Sequence, residues 1–258
     1  MQGIDSIKSH AIEWIREWFE QNGKNCTAVI GMSGGKDSTV CAALCAEALG
    51  KERVIGVMMP DEGQGTNDAE NICKYLGIRC INYPINTITK AIKESFDQNT
   101  KIKDVSGAII IHPMSRQSEQ NIPPRVRMTV LFAIAQTYDG RVCCTDNASE
   151  NFLGYSTFGG DDLGAFAPLG NLTVTEVRAI GKHMNLPEKW VMKVPDDGLP
   201  GSSSDEEKFG FTYDVLDKYL MGKEVPEDIA SKIENMHVKT QFKRDIIRVP
   251  AYDPKRTL

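Results

Sequence analysis

A chain of 258 residues can bury a sizeable core, and a composition of 41% hydrophobic and 25% charged residues is that of a globular protein. The formal net charge of −5 excludes a global basic field for nucleic acid, so any polyphosphate must be held by local N–H groups, a few Lys or Arg and a metal. The 7 cysteines form no Cys-x-x-Cys pair, and neither a signal peptide nor an apolar run long enough to span a membrane is read; reduced thiols in a cytoplasmic protein are expected.

Ile4, Ile7, Ala11, Ile15, Trp18 and Phe19 recur at helical spacing after Asp5, the expected N-cap, and Asn22-Gly23 ends this packing helix. Thr27 to Gly31 then reads as a buried strand, Met32 to Ser38 as a tight loop of small residues, and Thr39 to Leu49 as a helix. That order aims unpaired backbone N–H groups and the positive end of a helix dipole at whatever lies over the loop, which makes it a seat for phosphate. It is not a Walker A loop, because Ile30 stands where a Gly is required and Asp37 where a Ser or Thr must follow Lys36. Ser33-Gly34-Gly35-Lys36-Asp37-Ser38 instead resembles the Ser-Gly-Gly-x-Asp-Ser signature of the N-type ATP pyrophosphatases, which split ATP into AMP and pyrophosphate. The plainer alternative is a Gly-rich turn between two elements.

Arg53 to Met59 is a second apolar strand, Asn67 to Leu76 a helix, Arg79 to Tyr83 a third strand and Ile85 to Phe96 another helix. The alternation predicts an α/β fold: a Rossmann-like parallel sheet with helices on both faces, of the adenine nucleotide alpha hydrolase type, with ligands at the carboxyl ends of the strands. One domain over residues 1–258 is expected. Asp97 to Ser106 reads as a surface loop. Pro123-Pro124 are placed in the first turn of a helix running to Tyr138, whose apolar face (Val126, Val130, Leu131, Ile134, Ala135) suits either core or a dimer surface.

Arg141 to Thr145 is a further strand, delivering Asp146-Asn147-Ala148-Ser149-Glu150 to the same sheet edge as Ser33 to Ser38. Helix capping by Asn147 or Ser149 would account for this cluster; the sharper reading has Glu150 join Asp37 on Mg²⁺. Gly154 to Gly164 and Pro195 to Glu207 are loops with the composition of lids. Thr173 to Met184 is a helix with a Thr173/Glu176 capping box, Tyr213 to Met221 and Pro226 to Met236 are helices, and the tail from His237 reads as basic and irregular.

Over almost its whole length the chain resembles the NAD synthetases. The likeness rests on the signature loop, Asn121-Ile122-Pro123-Pro124-Arg125-Val126-Arg127, Thr145-Asp146-Asn147-x-x-Glu150, Gly154-Tyr155-Ser156-Thr157, Gly160-Asp161, Pro168-Leu169, Lys193-x-Pro195 and Ser204-Asp205-Glu206-x-x-Phe209-Gly210. The resemblance implies a ligase that amidates deamido-NAD⁺ with ammonia and ATP, in the ammonia-dependent form because no glutaminase portion precedes it. By position, Gly31, Ser33, Gly34, Gly35, Lys36, Asp37 and Ser38 would bind ATP together with Arg127 and Thr145. Asp37 and Glu150 would hold Mg²⁺. Asn121, Arg125, Asp161, Lys193 and Ser204 would line the deamido-NAD⁺ site, with Asp161 also catalytic as the group that takes up ammonium. The family likeness further implies a homodimer, with no nucleic-acid or membrane partner.

Phe158, Ala165 and Val174 stand where many relatives carry charged residues, which puts the second substrate in question. Two rivals are an ATP pyrophosphatase that adenylates another acceptor, such as a guanine-nucleotide precursor or a tRNA uridine, and a nucleotide-binding protein that has lost turnover.

Overall fold

The computed structural model describes residues 3–99, 102–110, 113–193, 204–246 and 252–253. Its frame is set by short apolar runs rich in Val and Ile that become strands: β1 (Thr27–Gly31), β2 (Val54–Met58) and β3 (Arg79–Asn82), then a small antiparallel hairpin of β4 (Ile102–Lys103) and β5 (Ile109–Ile110), then β6 (Gly140–Cys143). Four of them form one parallel sheet in the order β3-β2-β1-β6. The chain steps outward from β1 to β2 and β3, then returns to the other side of β1 with β6. The strand order therefore reverses between β1 and β6, where the connections diverge and leave a crevice at the carboxyl ends.

Helices α1 (Ile4–Asn22), α2 (Lys36–Leu49) and α3 (Asn67–Leu76) cover one face, where Ile15, Phe19, Leu44 and Ile72 bury fully against Ala28 and Ile30. On the opposite face α4 (Asn86–Asn99) and α5 (Arg116–Thr137) bring Ile85, Val126, Val130 and Leu131 onto Val29, Ile55 and Val57. After β6 the short α6 (Ala148–Leu153) leads away from the sheet edge, while α7 (Val174–His183) and α8 (Glu188–Val191) return to the first face. Finally α9 (Asp205–Phe209), α10 (Tyr213–Leu220), α11 (Glu227–Lys239) and α12 (Gln241–Ile246) build a lobe, its core formed by Leu153, Val174, Phe209, Tyr213, Leu216 and Ile233.

The expected parallel α/β architecture is present, with several local differences. α1 begins at Ile4 behind Gly3, and Asp5 is not its cap but lies in the first turn, paired with His183 Nε2 at 2.9 Å. α2 begins at Lys36, earlier than Thr39, so Lys36, Asp37 and Ser38 occupy its first turn. α5 also starts early, because Ser115 Oγ accepts from Ser118 N–H at 3.1 Å and caps it; Pro123 and Pro124 sit inside the helix. The apolar face of α5 is core: Val126, Val130, Leu131 and Ala135 are buried against the sheet. α4 and the hairpin replace much of the surface loop expected over Asp97 to Ser106. The tail from His237 is helical to Ile246, with Lys243 donating to the carbonyls of Gly154 and Ser156 at 2.7 Å each. Of the loop Pro195 to Glu207, residues 195–203 lie outside the described residues, and α9 begins at Asp205 behind Ser204.

Asp217 on α10, 2% exposed, ties the lobe to α6 and α7. It accepts from Ser149 Oγ on α6 at 2.5 Å and from Thr175 N–H on α7 at 2.6 Å. Asp217→Ala strands both donors in the interior, and a loss of roughly 2–4 kcal/mol is expected. Thermal denaturation should show Tm lowered by about 5–12 °C.

Candidate active site

The carboxyl ends of β1, β2 and β6 open into a cavity of about 590 Å³. Three loops leaving these strands supply its wall, and each is shaped by its own chemistry. In the first, Gly34 adopts φ +80°, and a Cβ there would come within 2.9 Å of Asp68 Cβ, so only glycine closes the turn without strain. Gly35 then caps α2, and its carbonyl accepts from Ser38 Oγ at 3.2 Å and Thr39 Oγ1 at 2.7 Å. The backbone N–H groups of the first turn of α2 remain without partners inside the helix, as at any helix start, and they face the cavity beside Ser33 and Ser38.

In the loop after β6, Asn147 caps α6 in a capping box. Its Oδ1 accepts from Ser149 and Glu150 N–H, and Glu150 Oε2 accepts from Asn147 N–H at 3.3 Å. The capping reading of this segment is therefore present in Asn147, and Glu150 lines the cavity as well. Asn147 Nδ2 also reaches across to Asp37 Oδ1 at 3.0 Å, which fixes one acid of the first loop to the loop that carries the other. Lys36 Nζ lies 2.8 Å from Asp37 Oδ2 and 3.7 Å from Glu150 Oε1, so the two carboxylates already share one cationic centre.

The third loop follows β2. Arg127 on α5 holds it by donating to Met59 carbonyl at 3.0 Å and to Gln64 Oε1 at 2.7 Å. Burial presses down on the Arg127 charge while Asp61 and Asp161 support it. Opposite, the glycine-rich segment after α6 is tied by Thr157 N–H to Asp161 Oδ1 at 2.6 Å and by Gly160 N–H to Asp162 Oδ1 at 3.1 Å, which presents Asp161 to the cavity.

Gly31, Ser33, Gly35, Lys36, Asp37, Ser38, Arg127, Thr145, Glu150, Asp161 and Lys193 all line this single cavity. Gly34 stands behind the loop against Asp68. Asn121 and Arg125 lie beside it on α5: Asn121 Oδ1 accepts from Thr157 Oγ1 at 3.1 Å and Arg125 donates to Phe158 carbonyl at 3.1 Å, so both brace the segment carrying Asp161. Ser204 caps α9, and its neighbour Asp205 reaches the cavity, accepting from Tyr155 OH at 3.0 Å. Gln64, Thr66, Asp146 and Asp205 line the site without having been assigned a role from the sequence. The polar run Asp61 to Thr66 was detectable as a loop at the carboxyl end of a buried strand. Asp146, 7% exposed with Oδ2 unpartnered among the described residues, carried no local signal beyond its place in the motif.

The electrostatics follow from this crowding. Burial and the neighbouring Asp37 push the Glu150 carboxyl up to about 8, with Lys36 opposing. Burial, Asp161 and Glu150 raise Asp146 well above the usual carboxylate range, and burial raises Asp161 against the Thr157 N–H bond. Burial lowers the Lys36 ammonium, but Asp37 and Glu150 outweigh it, and its pKa lies above the ordinary value.

The sequence profile of the NAD synthases matches residues 7–247. The chain belongs to the NAD synthase family. Among its relatives in the family, the NH(3)-dependent NAD(+) synthetase of Methanocaldococcus jannaschii is 33% identical over 100% of this chain and 96% of its own length. That of Methanococcus aeolicus is 38% identical over 80% of this chain and 77% of its own. Among solved structures, an NMN synthetase from Francisella tularensis superposes with TM-score 0.84 at 27% identity, covering 97% of this chain and 99% of that one. An NH3-dependent NAD synthetase from Campylobacter jejuni does so with TM-score 0.74 at 26% identity, covering 96% and 99%. The fold of this NAD synthase family member thus has whole-length counterparts.

Glu150 generates a pH prediction. Its pKa in the folded protein, about 8, lies above the ordinary value of 4.5, so its protonation contributes stability that is full below about 4.5 and is lost as pH rises through about 8. The metal-free protein should therefore melt at lower temperature as pH rises across that window. In Glu150→Gln the decline should be visibly shallower in a thermal-shift series.

Proposed function

We propose that this chain amidates deamido-NAD⁺ with ammonia at the expense of ATP, through an adenylated intermediate, releasing NAD⁺, AMP and pyrophosphate. The observation that carries the reading is the convergence of a helix N-terminus, a Ser-Gly-Gly turn and the Asp37/Glu150 pair on one cavity at the point where the strand order reverses. Membership of the NAD synthase family supports it, and we take residues 1–258 as one catalytic unit.

The chain's own residues have separable tasks. Ser33, Ser38 and the first-turn N–H groups of α2 hold the β- and γ-phosphates, and they are already aimed before the reaction, so they stabilise departing pyrophosphate without reorganising. Arg127 and Thr145 hold the rest of the ATP. The nicotinate carboxylate oxygen bonds to the α-phosphorus as the bond to pyrophosphate breaks. Ammonia then bonds to the activated carbonyl carbon and AMP leaves. Asp161, made more basic by burial, accepts the proton that ammonium must lose before its nitrogen lone pair can attack.

Asp37 and Glu150 fit a Mg²⁺ ion in chemical type, since two hard carboxylates meet at one cationic centre and the remaining positions suit phosphate and water oxygens. When bound there, Mg²⁺ neutralises polyphosphate charge and lowers the cost of expelling pyrophosphate. No helix among the described residues is long and apolar enough to cross a membrane. We assign the protein to the cytoplasm as a homodimer, without nucleic-acid partners. The dimer contact would use the outward side of α4 and α5, where Ile92, Phe96 and Phe132 are exposed.

A second reading concerns the acceptor alone: nicotinate mononucleotide in place of the dinucleotide. The likeness to NMN synthetase at TM-score 0.84 favours it. So do three apolar residues at positions where the family resemblance leads us to expect charge: Phe158, whose ring lies 6.3 Å from that of Phe242, Ala165 and the fully buried Val174. An absent charge-assisted contact to a phosphate or ribose removes about 1.5–3 kcal/mol of hold on the acceptor.

Pyrophosphate release measured with ATP, Mg²⁺ and ammonium decides between them. Release that depends on deamido-NAD⁺ is the expected outcome; release that depends on the mononucleotide selects the second reading, and release with neither rejects both. Asp37→Ala should lower the rate about 100-fold or more in a folded protein; near-normal turnover would remove Asp37 from the metal.

A further inference from the structure

Lys36 is the residue that the mechanism leaves with least to do. It follows the Gly-Gly turn, opens α2 and is 3% exposed, yet it lines the cavity. A helix start repels a cation, and burial strips it of water, so something must hold the ammonium there. Asp37 Oδ2 at 2.8 Å and Glu150 Oε1 at 3.7 Å do so, and the face of the Tyr213 ring lies 5.6 Å from Nζ. The ammonium thus contacts the same two carboxylates that fit the divalent ion.

From this coincidence we infer that Lys36 is a tethered stand-in for the metal: its ammonium fills the space between Asp37 and Glu150 until nucleotide arrives, and the entering ion displaces it. The inference rests on the metal reading of the acid pair given above. Two consequences follow from electrostatics. Without nucleotide, an ion must compete with an intramolecular cation that needs no translational entropy to bind, so the free protein holds divalent ions poorly. With ATP present, the phosphates supply both extra ligands for the ion and a new anionic partner for the displaced ammonium inside the same cavity. Metal and nucleotide therefore bind with positive coupling, and the acid pair stays assembled without metal.

The test is Mn²⁺ binding to the full-length protein without nucleotide, read from the free-ion electron paramagnetic resonance signal. Lys36→Met should bind Mn²⁺ at least about tenfold tighter than the unaltered chain, a difference of about 1.4 kcal/mol. Lys36→Gln, which keeps a hydrogen-bond donor without the charge, should do the same. Thermal shift supplies an independent readout: millimolar Mg²⁺ should raise Tm in both variants more than in the unaltered chain. Variants that fold only when Mg²⁺ is supplied also support the inference, because the ion then replaces the ammonium. Unchanged Mn²⁺ affinity in both variants overturns it, as does failure to fold with or without metal. The Asp37→Asn protein separates the two levels. If it loses the Mn²⁺ bound in the presence of ATP while the Lys36 variants show no gain, the metal reading stands and the stand-in falls; if it retains that Mn²⁺, the acid pair itself is not the metal site.

Discussion

Too much negative charge gathers at one end of the buried sheet for the protein alone to neutralise. Asp37, Asp146, Glu150 and Asp161 converge on a cavity whose wall includes the buried Lys36 and the half-buried Arg127 as cations, and three of these acids are pushed up in pKa by burial and by neighbouring acids. A fold that only needed stability would not collect them there, because buried like charges cost energy that packing must offset. The arrangement makes sense when cations arrive with the substrates, as they do for a ligase that handles a metal–polyphosphate and ammonium. The frame tolerates the strain because β1 and β2 bury an almost wholly apolar interior, Thr27 apart, and are covered on both faces.

Much of this was legible in the residues. Strands of Val and Ile alternating with helical spacing announce a parallel sheet, and Ser33 to Ser38 at the end of the first strand points to phosphate. The capping box at Thr173 follows from short-range chemistry that sequence displays directly; at the next segment the sequence left the cap open between Asn147 and Ser149, and Asn147 takes it, in a box with Glu150. The start of α5 was misplaced because two adjacent prolines signal a helix beginning, whereas Ser115 supplies an earlier cap and the turns between are completed despite the lost donors. Periodicity alone left the apolar face of that helix open between core and interface, and only the sheet beneath it decides for core.

What the sequence could not display is contact between distant segments. Nothing local says that Lys243, in a basic terminal stretch, donates to the carbonyls of Gly154 and Ser156, or that Asn147 reaches Asp37. Asp217 looks like an ordinary polar helical position until α6 and α7 are found against it. The lobe of α9 to α12 is thus wired to the active-site loops through a few polar bridges, and the glycine-rich segment with Asp161 is held from α5 on one side and α12 on the other.

One oxygen of Glu150 closes the first turn of its own helix while the other meets the ammonium of Lys36. Aspartate is a methylene too short for both reaches, and glutamine supplies the turn but not the charge. Each neighbouring acid or amide thus gives up at least one of the two tasks that this one side chain performs together.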